Sequence, residues 1–179
     1  MGRKRLIIRD SVDKDLQALN DLYQEAFGES EGDSVARLTA DLLQDDTAKP
    51  LISLVATEND VVVGNIIFST VTVDGNTGSS GFILAPLAVL KAFQNSGIGT
   101  ALIKHGIGRL KALKADYVLV LGDPNYYQRV GFCGGHEVAP LYDLDYPEAW
   151  MVLELNQGVL SGLKGTVQCA SSLCRPELW

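Results

Sequence analysis

Apolar and polar positions change their period several times along the chain, and each change marks an element. Residues 5–9, RLIIR, read as a short apolar strand. Asp10 and Ser11 follow as helix-entry residues, after which Leu16, Leu19, Leu22, Tyr23, Ala26 and Phe27 recur at helical spacing. Asp13, Lys14, Asp15, Asp21 and Glu25 fall on the other faces, and Gly28 should stop the helix. Residues 29–33, ESEGD, read as an acidic loop, and Asp33 or Ser34 can cap a second helix carrying Val35, Leu38, Leu42 and Leu43.

From Leu51 the period becomes that of strands: LISLVAT, a turn at Glu58, Asn59 and Asp60, then VVVGNIIFSTVTV. A turn at residues 74–78 precedes another strand at 82–90. Pro86 in its middle cannot donate a ladder hydrogen bond, so it predicts an edge, a bulge or a place where two strands part. Past a glycine-lined turn comes a helix with Ile98, Leu102, Ile103, Ile107, Leu110 and Leu113 on its buried side and Lys104, Arg109, Lys111 and Lys114 toward solvent. Inside that helix Gly106 and Gly108 each cost about 1 kcal/mol relative to Ala, which points to close packing on the sheet. A buried strand at 116–122 follows. Asp123 and Pro124 then cap and open a brief helix that ends at Gly131. Phe132 and Cys133 start a further strand, Gly134, Gly135 and His136 form a loop, residues 150–155 (WMVLEL) make a strong strand, and residues 165–169 a weaker one.

The length of 179 residues suits one well-buried domain, expected over residues 1–157, with residues 158–179 as a tail packed on it. Hydrophobic residues at 46% and charged residues at 21% fit a globular chain and exclude disorder. The net charge of −7 weighs against nucleic acid as a partner, because that binding rests on basic residues, and suits a cationic substrate better. No apolar run approaches the roughly 20 residues that span a bilayer, and the basic start, MGRKRLIIRD, lacks the apolar core of a signal peptide. No membrane partner and a cytoplasmic location are therefore expected. Cys133, Cys169 and Cys174 show neither C-x-x-C spacing nor paired histidines, so they read as free buried thiols, and no metal is expected.

The turn Gln94, Asn95, Ser96, Gly97, Ile98, Gly99 lies between a strand and a helix. The first amides of a helix lack internal partners and carry the positive end of its dipole, so a glycine-lined turn there can hold a phosphate. A nucleoside-triphosphate loop would need a glycine, four intervening residues, then Gly-Lys and a hydroxyl residue, and no such run exists. A dinucleotide fold would want Gly or Ala where Leu102 stands, although Asp123 lies at a suitable distance downstream for a ribose contact. The preceding strands also read as an antiparallel meander instead of strand-helix-strand units.

This turn resembles the Q/R-x-x-G-x-G/A loop of the GNAT acetyltransferases, and LGDPNYYQRVGF, residues 121–132, is similar to the second coenzyme-facing element of that family, in which a tyrosine precedes a Gly-Phe pair by four positions. Here that tyrosine is Tyr127. Together with APLAV before the turn, these motifs resemble a bacterial branch of small N-acetyltransferases, over roughly residues 5–155. The resemblance implies an α/β (α+β) fold with a central mixed, largely antiparallel sheet of about six to seven strands, flanked by about four helices and parted near Pro86.

It also implies a function: transfer of an acetyl group from acetyl-CoA to a primary amine by direct attack, the acceptor being a small-molecule or protein amine. Backbone amides of Gln94, Asn95, Ser96, Gly97, Ile98, Gly99 and Thr100 would hold the pyrophosphate, and Leu87, Ala88 and Val89 would pair with the amide-bearing arm as an added strand does. Tyr127, with a reference pKa of about 10, is a protonated donor at neutral pH and is the expected general acid for the departing thiolate. Asn125 divides between a place beside the coenzyme and backbone capping. Tyr126 reads as a core aromatic, and Arg129 as a surface ion pair or a cover for apolar area in preference to its rival, a phosphate contact. Spacing singles out no general base. Glu29 is the expectation, with Glu25, Glu31, Asp33 and His136 as rivals, and a water chain would also serve. Family members often pair through late strands or tails, so a homodimer is an expectation as well. The alternative function is a non-catalytic acyl-CoA-binding regulatory module of the same fold.

Overall fold

A computed structural model describes residues 5–179; the first four residues of the basic start lie outside the described residues. The strands are β1 (Leu6–Asp10), β2 (Leu51–Glu58), β3 (Val61–Val73), β4 (Asn76–Val89), β5 (Tyr117–Leu121), β6 (Glu137–Ala139), β7 (Trp150–Glu154) and β8 (Lys164–Gln168), and the helices are α1 (Leu16–Gln44), α2 (Ile98–Ala112) and α3 (Pro124–Tyr127). The main sheet runs β1-β2-β3-β4-β5-β7, with β8 joined to the end of β3 and β6 beside β8. All pairs are antiparallel except β4 with β5 and β6 with β8.

The sheet is covered on both faces, which explains the nearly unbroken apolar runs of β3 and β5. On one face Ile66, Phe68, Phe82, Leu84 and Val118 pack against Leu102, Ile103 and Leu110 of α2. On the other, Ile67, Val71, Ile83 and Leu119 meet Leu38 and Leu42 of α1 together with Leu163 and Leu173 from the last third of the chain. A side chain of this size gains about 1.5–3 kcal/mol from full burial, so these two layers are the main source of stability. A smaller cluster joins Leu19, Leu22 and Tyr23 of α1 to Val55 and Ala88.

Several elements differ from the sequence expectation. Residues 29–33 are helical, and the break between the two halves of α1 is the single residue Gly28 (φ 74°, ψ −170°). Glycine adopts that positive φ without strain, so the chain turns its corner in one step. The corner is closed by Gln24 donating to Asp33 Oδ1 at 3.1 Å. Helix entry is also displaced. Asp10 ends β1 and pairs with Arg109 of α2 at 3.0 Å, and the Ser11 hydroxyl bonds to Ser53 Oγ at 2.7 Å. The capping work falls to Asp15, whose carboxylate accepts from the Val12 amide at 2.8 Å and from Arg9 at 2.7 Å. The hydrogen bond from Arg9 is the largest influence lowering the Asp15 carboxyl below its usual range.

Strand β4 begins at Asn76 because Asp74 and Gly75 (φ 77°) suffice for the turn, whereas Phe132 and Cys133 form no strand beyond a bridge from Cys133 to Val152. All three cysteines are free, but Cys133 and Cys174 are exposed and Cys169 is only partly covered. Gly106 lies against the Phe68 ring, where a Cβ would collide, while Gly108 faces open space. Close packing therefore accounts for Gly106 alone.

The last third of the chain docks on the same core. Asp45, just past α1, accepts hydrogen bonds from the amides of Ser172 (2.9 Å) and Thr47 (2.8 Å) and from the Ser172 hydroxyl (2.6 Å). Burial pushes its carboxyl up, but these bonds prevail and hold it down to about 2. Tryptophan rings from residues 150 and 179 pack with centroids 5.5 Å apart.

Candidate active site

The site grows from the parting of β4 and β5. Their parallel pairing covers only four positions, ending where Leu84 meets Val120. Opposite, the register between β3 and β4 shifts between Ile66 and Phe68, so Ala85 and Pro86 together face Ile67 as a bulge. Past the bulge, Leu87, Ala88 and Val89 remain paired to Ile66, Asn65 and Gly64. Among the described residues no strand lies beside their other edge, so it can accept an added one.

At the end of this edge the Gln94 side chain donates to Val89 O at 3.0 Å, which ties the turn to the strand. Asn95 and Gly97 take positive φ values of 59° and 84°. This geometry turns the chain directly into α2, whose first internal bond runs from the Ala101 amide to Gly97 O at 2.9 Å. The amides of Ile98, Gly99 and Thr100 precede that bond and face the same end as the helix dipole, an arrangement suited to an anion. The Ser96 hydroxyl is turned inward to Phe93 O.

The third component comes from α3. Asp123 caps it by accepting from the Asn125 amide at 2.9 Å. Tyr127 lies edge-on to Phe132 (5.6 Å between centroids) and to Tyr126 (5.1 Å). Burial pushes the Tyr127 hydroxyl well above its usual range, with a smaller contribution from Tyr126, so it stays protonated and available as a donor.

One cleft of about 670 Å³ joins these parts: it is lined by Leu87, Ala88 and Val89 of β4, by Gln94, Asn95, Gly97, Ile98, Gly99 and Thr100 of the turn, and by Tyr127. Phe93, Tyr126 and Arg129 complete the lining. Tyr126 is therefore both packed on the core and a wall of the cleft. Ser96 and Asn125 are not among the lining residues; Asn125 is exposed at the start of α3.

The proposed bases are placed elsewhere. Glu29 is exposed in a separate groove of about 520 Å³ with Gln24, Glu25, Gly28, Asp33 and Lys91, and this groove shares no lining residue with the cleft of Tyr127. Within it Glu25 Oε1 accepts from the Lys91 amide at 3.0 Å. His136 is occupied at both ring nitrogens: Nδ1 accepts from the Val138 amide (3.3 Å), and Nε2 bonds to Trp150 O (3.1 Å). Burial lowers its pKa and the Trp150 carbonyl only partly opposes this, so the ring is neutral and has no free lone pair for base catalysis.

A polar network unread in the sequence lies behind the bulge. The Tyr23 hydroxyl donates to Asn65 Oδ1 at 2.7 Å, and Asn65 Nδ2 donates to Leu54 O at 2.8 Å and Ser53 Oγ at 3.2 Å. Asn65 within the apolar run VVVGNIIF, on the strand adjacent to that of Pro86, was the available signal. Among the described residues no group of three or more His, Cys, Asp and Glu side chains is arranged to hold a metal ion, and no helix is long and apolar enough to cross a membrane.

Residues 16–132 match the acetyltransferase (GNAT) family model. The chain is 36% identical over 162 residues to the uncharacterized N-acetyltransferase YjhQ of Escherichia coli (strain K12), covering 87% of each. It is similar in structure to the GNAT family N-acetyltransferase YhbS from Escherichia coli, solved in complex with CoA, with a TM-score of 0.87 and 28% identity over 98% of this chain and 95% of that one. A GNAT family acetyltransferase from Brucella melitensis, solved in complex with acetyl-CoA, matches with a TM-score of 0.77 and 25% identity over 96% of this chain and 99% of the other. Together with the parted strands and the glycine turn between them, these matches show that the chain belongs to the GNAT family of acetyltransferases.

Proposed function

We propose that this chain is an acetyl-CoA-dependent N-acyltransferase that moves an acetyl group from the thioester to a primary amine by direct attack. The observation that carries the reading is the single cleft uniting the free edge of residues 87–89, the amides at the start of α2 and Tyr127. In this reading the α2 amides and the turn bind the pyrophosphate, and the β4 edge pairs with the pantetheine arm and so aligns the thioester. The amine nitrogen attacks the carbonyl carbon, and a backbone amide of the edge steadies the tetrahedral oxyanion. The carbon–sulfur bond then breaks, Tyr127 donates its phenolic proton to the thiolate, and the proton lost by the amine passes to solvent and restores the phenol.

A cationic acceptor suits the net charge of −7 and the exposed Glu25, Glu29 and Asp33 beside the break in α1. Since those carboxylates lie in their own groove, Glu29 fits recruitment of the incoming amine better than proton abstraction at the thioester. The free cysteines suit a reducing cytoplasm.

The test is isothermal titration of the folded protein with acetyl-CoA, followed by thiol release over a panel of polyamines, amino sugars, amino acids and peptides. Binding with amine-dependent thiol release is expected. A folded protein that ignores acetyl-CoA would sink the proposal, and binding with no release across the panel would favour the non-catalytic coenzyme-binding module.

A further inference from the structure

Among the described residues, Arg129 is the only charged one that lines the coenzyme cleft. The sequence favoured a surface ion pair or a cover for apolar area over a phosphate contact, but among the described residues Arg129 takes part in no ion pair; the cationic partners found are Arg9, Lys49, Arg109 and Arg175. Its guanidinium carbon sits 5.4 Å from the centre of the Tyr126 ring, within the range of a cation–π contact. Tyr126 is itself held, by the edge-on ring of Tyr127 at 5.1 Å and by Gly99, where a Cβ would run into the Tyr126 hydroxyl. An aromatic platform built on the start of α2 thus carries an unneutralised cation into the cleft of a strongly acidic chain.

From this geometry, and resting on the acetyl-CoA reading of the cleft, we propose that Arg129 receives the 3′-phosphate of the coenzyme and makes the protein select CoA over 3′-dephospho-CoA. The diphosphate of that ligand already has partners in the free amides of Ile98, Gly99 and Thr100. A phosphomonoester carries close to two charges at pH 7 and has no amide cradle here, so it requires a cation. The planar guanidinium matches phosphate oxygens in a two-pronged hydrogen bond, which an ammonium does not reproduce. The same residue offsets the repulsion that a polyanionic ligand meets from the surrounding surface.

The experiment titrates the folded protein and its Arg129→Gln and Arg129→Lys variants with CoA and with 3′-dephospho-CoA, at low and moderate salt. The wild-type protein should bind CoA about tenfold or more tightly than the dephospho form, the range of a charge-assisted contact. Arg129→Gln should lose that preference while keeping its affinity for 3′-dephospho-CoA within about twofold, and Arg129→Lys should recover part of it with a steeper salt dependence. Equal wild-type affinity for the two ligands overturns the inference and leaves the acetyl-CoA reading intact. Equal weakening of both by Arg129→Gln also overturns it, and assigns the residue to the diphosphate. If folded wild-type protein binds neither ligand, the inference falls together with the acetyl-CoA reading.

Discussion

Tyr23, on the first half of α1, donates its hydroxyl to Asn65 Oδ1 on β3 at 2.7 Å, and neither residue has any exposed surface. Because Asn65 commits its amide nitrogen to Leu54 O and Ser53 Oγ, its carbonyl is fixed toward Tyr23. The same hydroxyl lies 3.5 Å from the carbonyl of Pro86, which sets α1 beside the bulge that opens the sheet. Tyr23→Phe should leave Asn65 Oδ1 buried without a donor, at a cost of about 1–3 kcal/mol. For a chain of this length each kcal/mol lowers the melting temperature by about 2–4 °C. A double-mutant cycle with Asn65→Ala should give a coupling of about 0.5–3 kcal/mol, and strictly additive melting shifts would show that the two side chains do not act together.

Tyr127→Phe keeps the ring packing on Phe132 and removes only the hydroxyl. With an accepted amine, kcat should fall by about 10²–10⁴, the range for positioned acid catalysis, while coenzyme affinity changes little. Because burial raises the Tyr127 pKa, the donor remains protonated to alkaline pH, and the wild-type rate should show no loss from its deprotonation below about pH 10. Unchanged turnover in the variant would remove Tyr127 from the chemistry.

Two glycines in α2 separate packing from helix propensity. Gly106→Ala should drive a methyl group into the Phe68 ring and destabilise the protein by about 1–3 kcal/mol. Gly108→Ala meets nothing and should stabilise by up to about 1 kcal/mol. Denaturant midpoints of opposite sign are expected, and two shifts of the same sign would contradict the packing described for this helix.

His136 sets a pH dependence. Its folded pKa is lower than the unfolded value of about 6.5, so the neutral ring is the one the fold accepts. Its contribution is complete above the unfolded value and is lost as pH falls through the folded one, because a protonated Nδ1 cannot accept from the Val138 amide. Stability should thus drop as pH falls below about 6.5, and His136→Gln should flatten that part of the profile. A wild-type midpoint constant across this range would rule the mechanism out.

The strand and turn chemistry was legible because each signal is local. Asn59 and Asp60 both adopt positive φ (52° and 65°) at the turn that the sequence marks, and Pro86 sits in the bulge beside the parting strands. The glycine turn was equally plain, since Gly97 supplies a backbone angle that other residues resist. What sequence could not resolve depended on distant partners. The helical state of residues 29–33 follows from Gln24 meeting Asp33, and Asp10 was drawn from capping by Arg109, 99 residues away. Arg129 looked like a surface cation because nothing near it in sequence reveals that Tyr126 turns toward Gly99. His136 stood as one rival for the base, and only the fold shows that Val138 and Trp150 take both its nitrogens.

The attachment of β8 to the end of β3 bears on the order in which the molecule assembles. Gln168 reaches Asp74 across 94 residues of chain, at 3.1 Å, whereas β1 through β4 form a meander of neighbours. Closing so long a loop costs entropy before any contact repays it, so local hairpins consolidate first and this seam closes late. Among the described residues, the cleft beside Tyr127 is lined from residues 87–129 alone and can take shape before the seam is sealed. Amide exchange in β6 and β8 should accordingly report openings that leave the cleft, and any ligand in it, undisturbed.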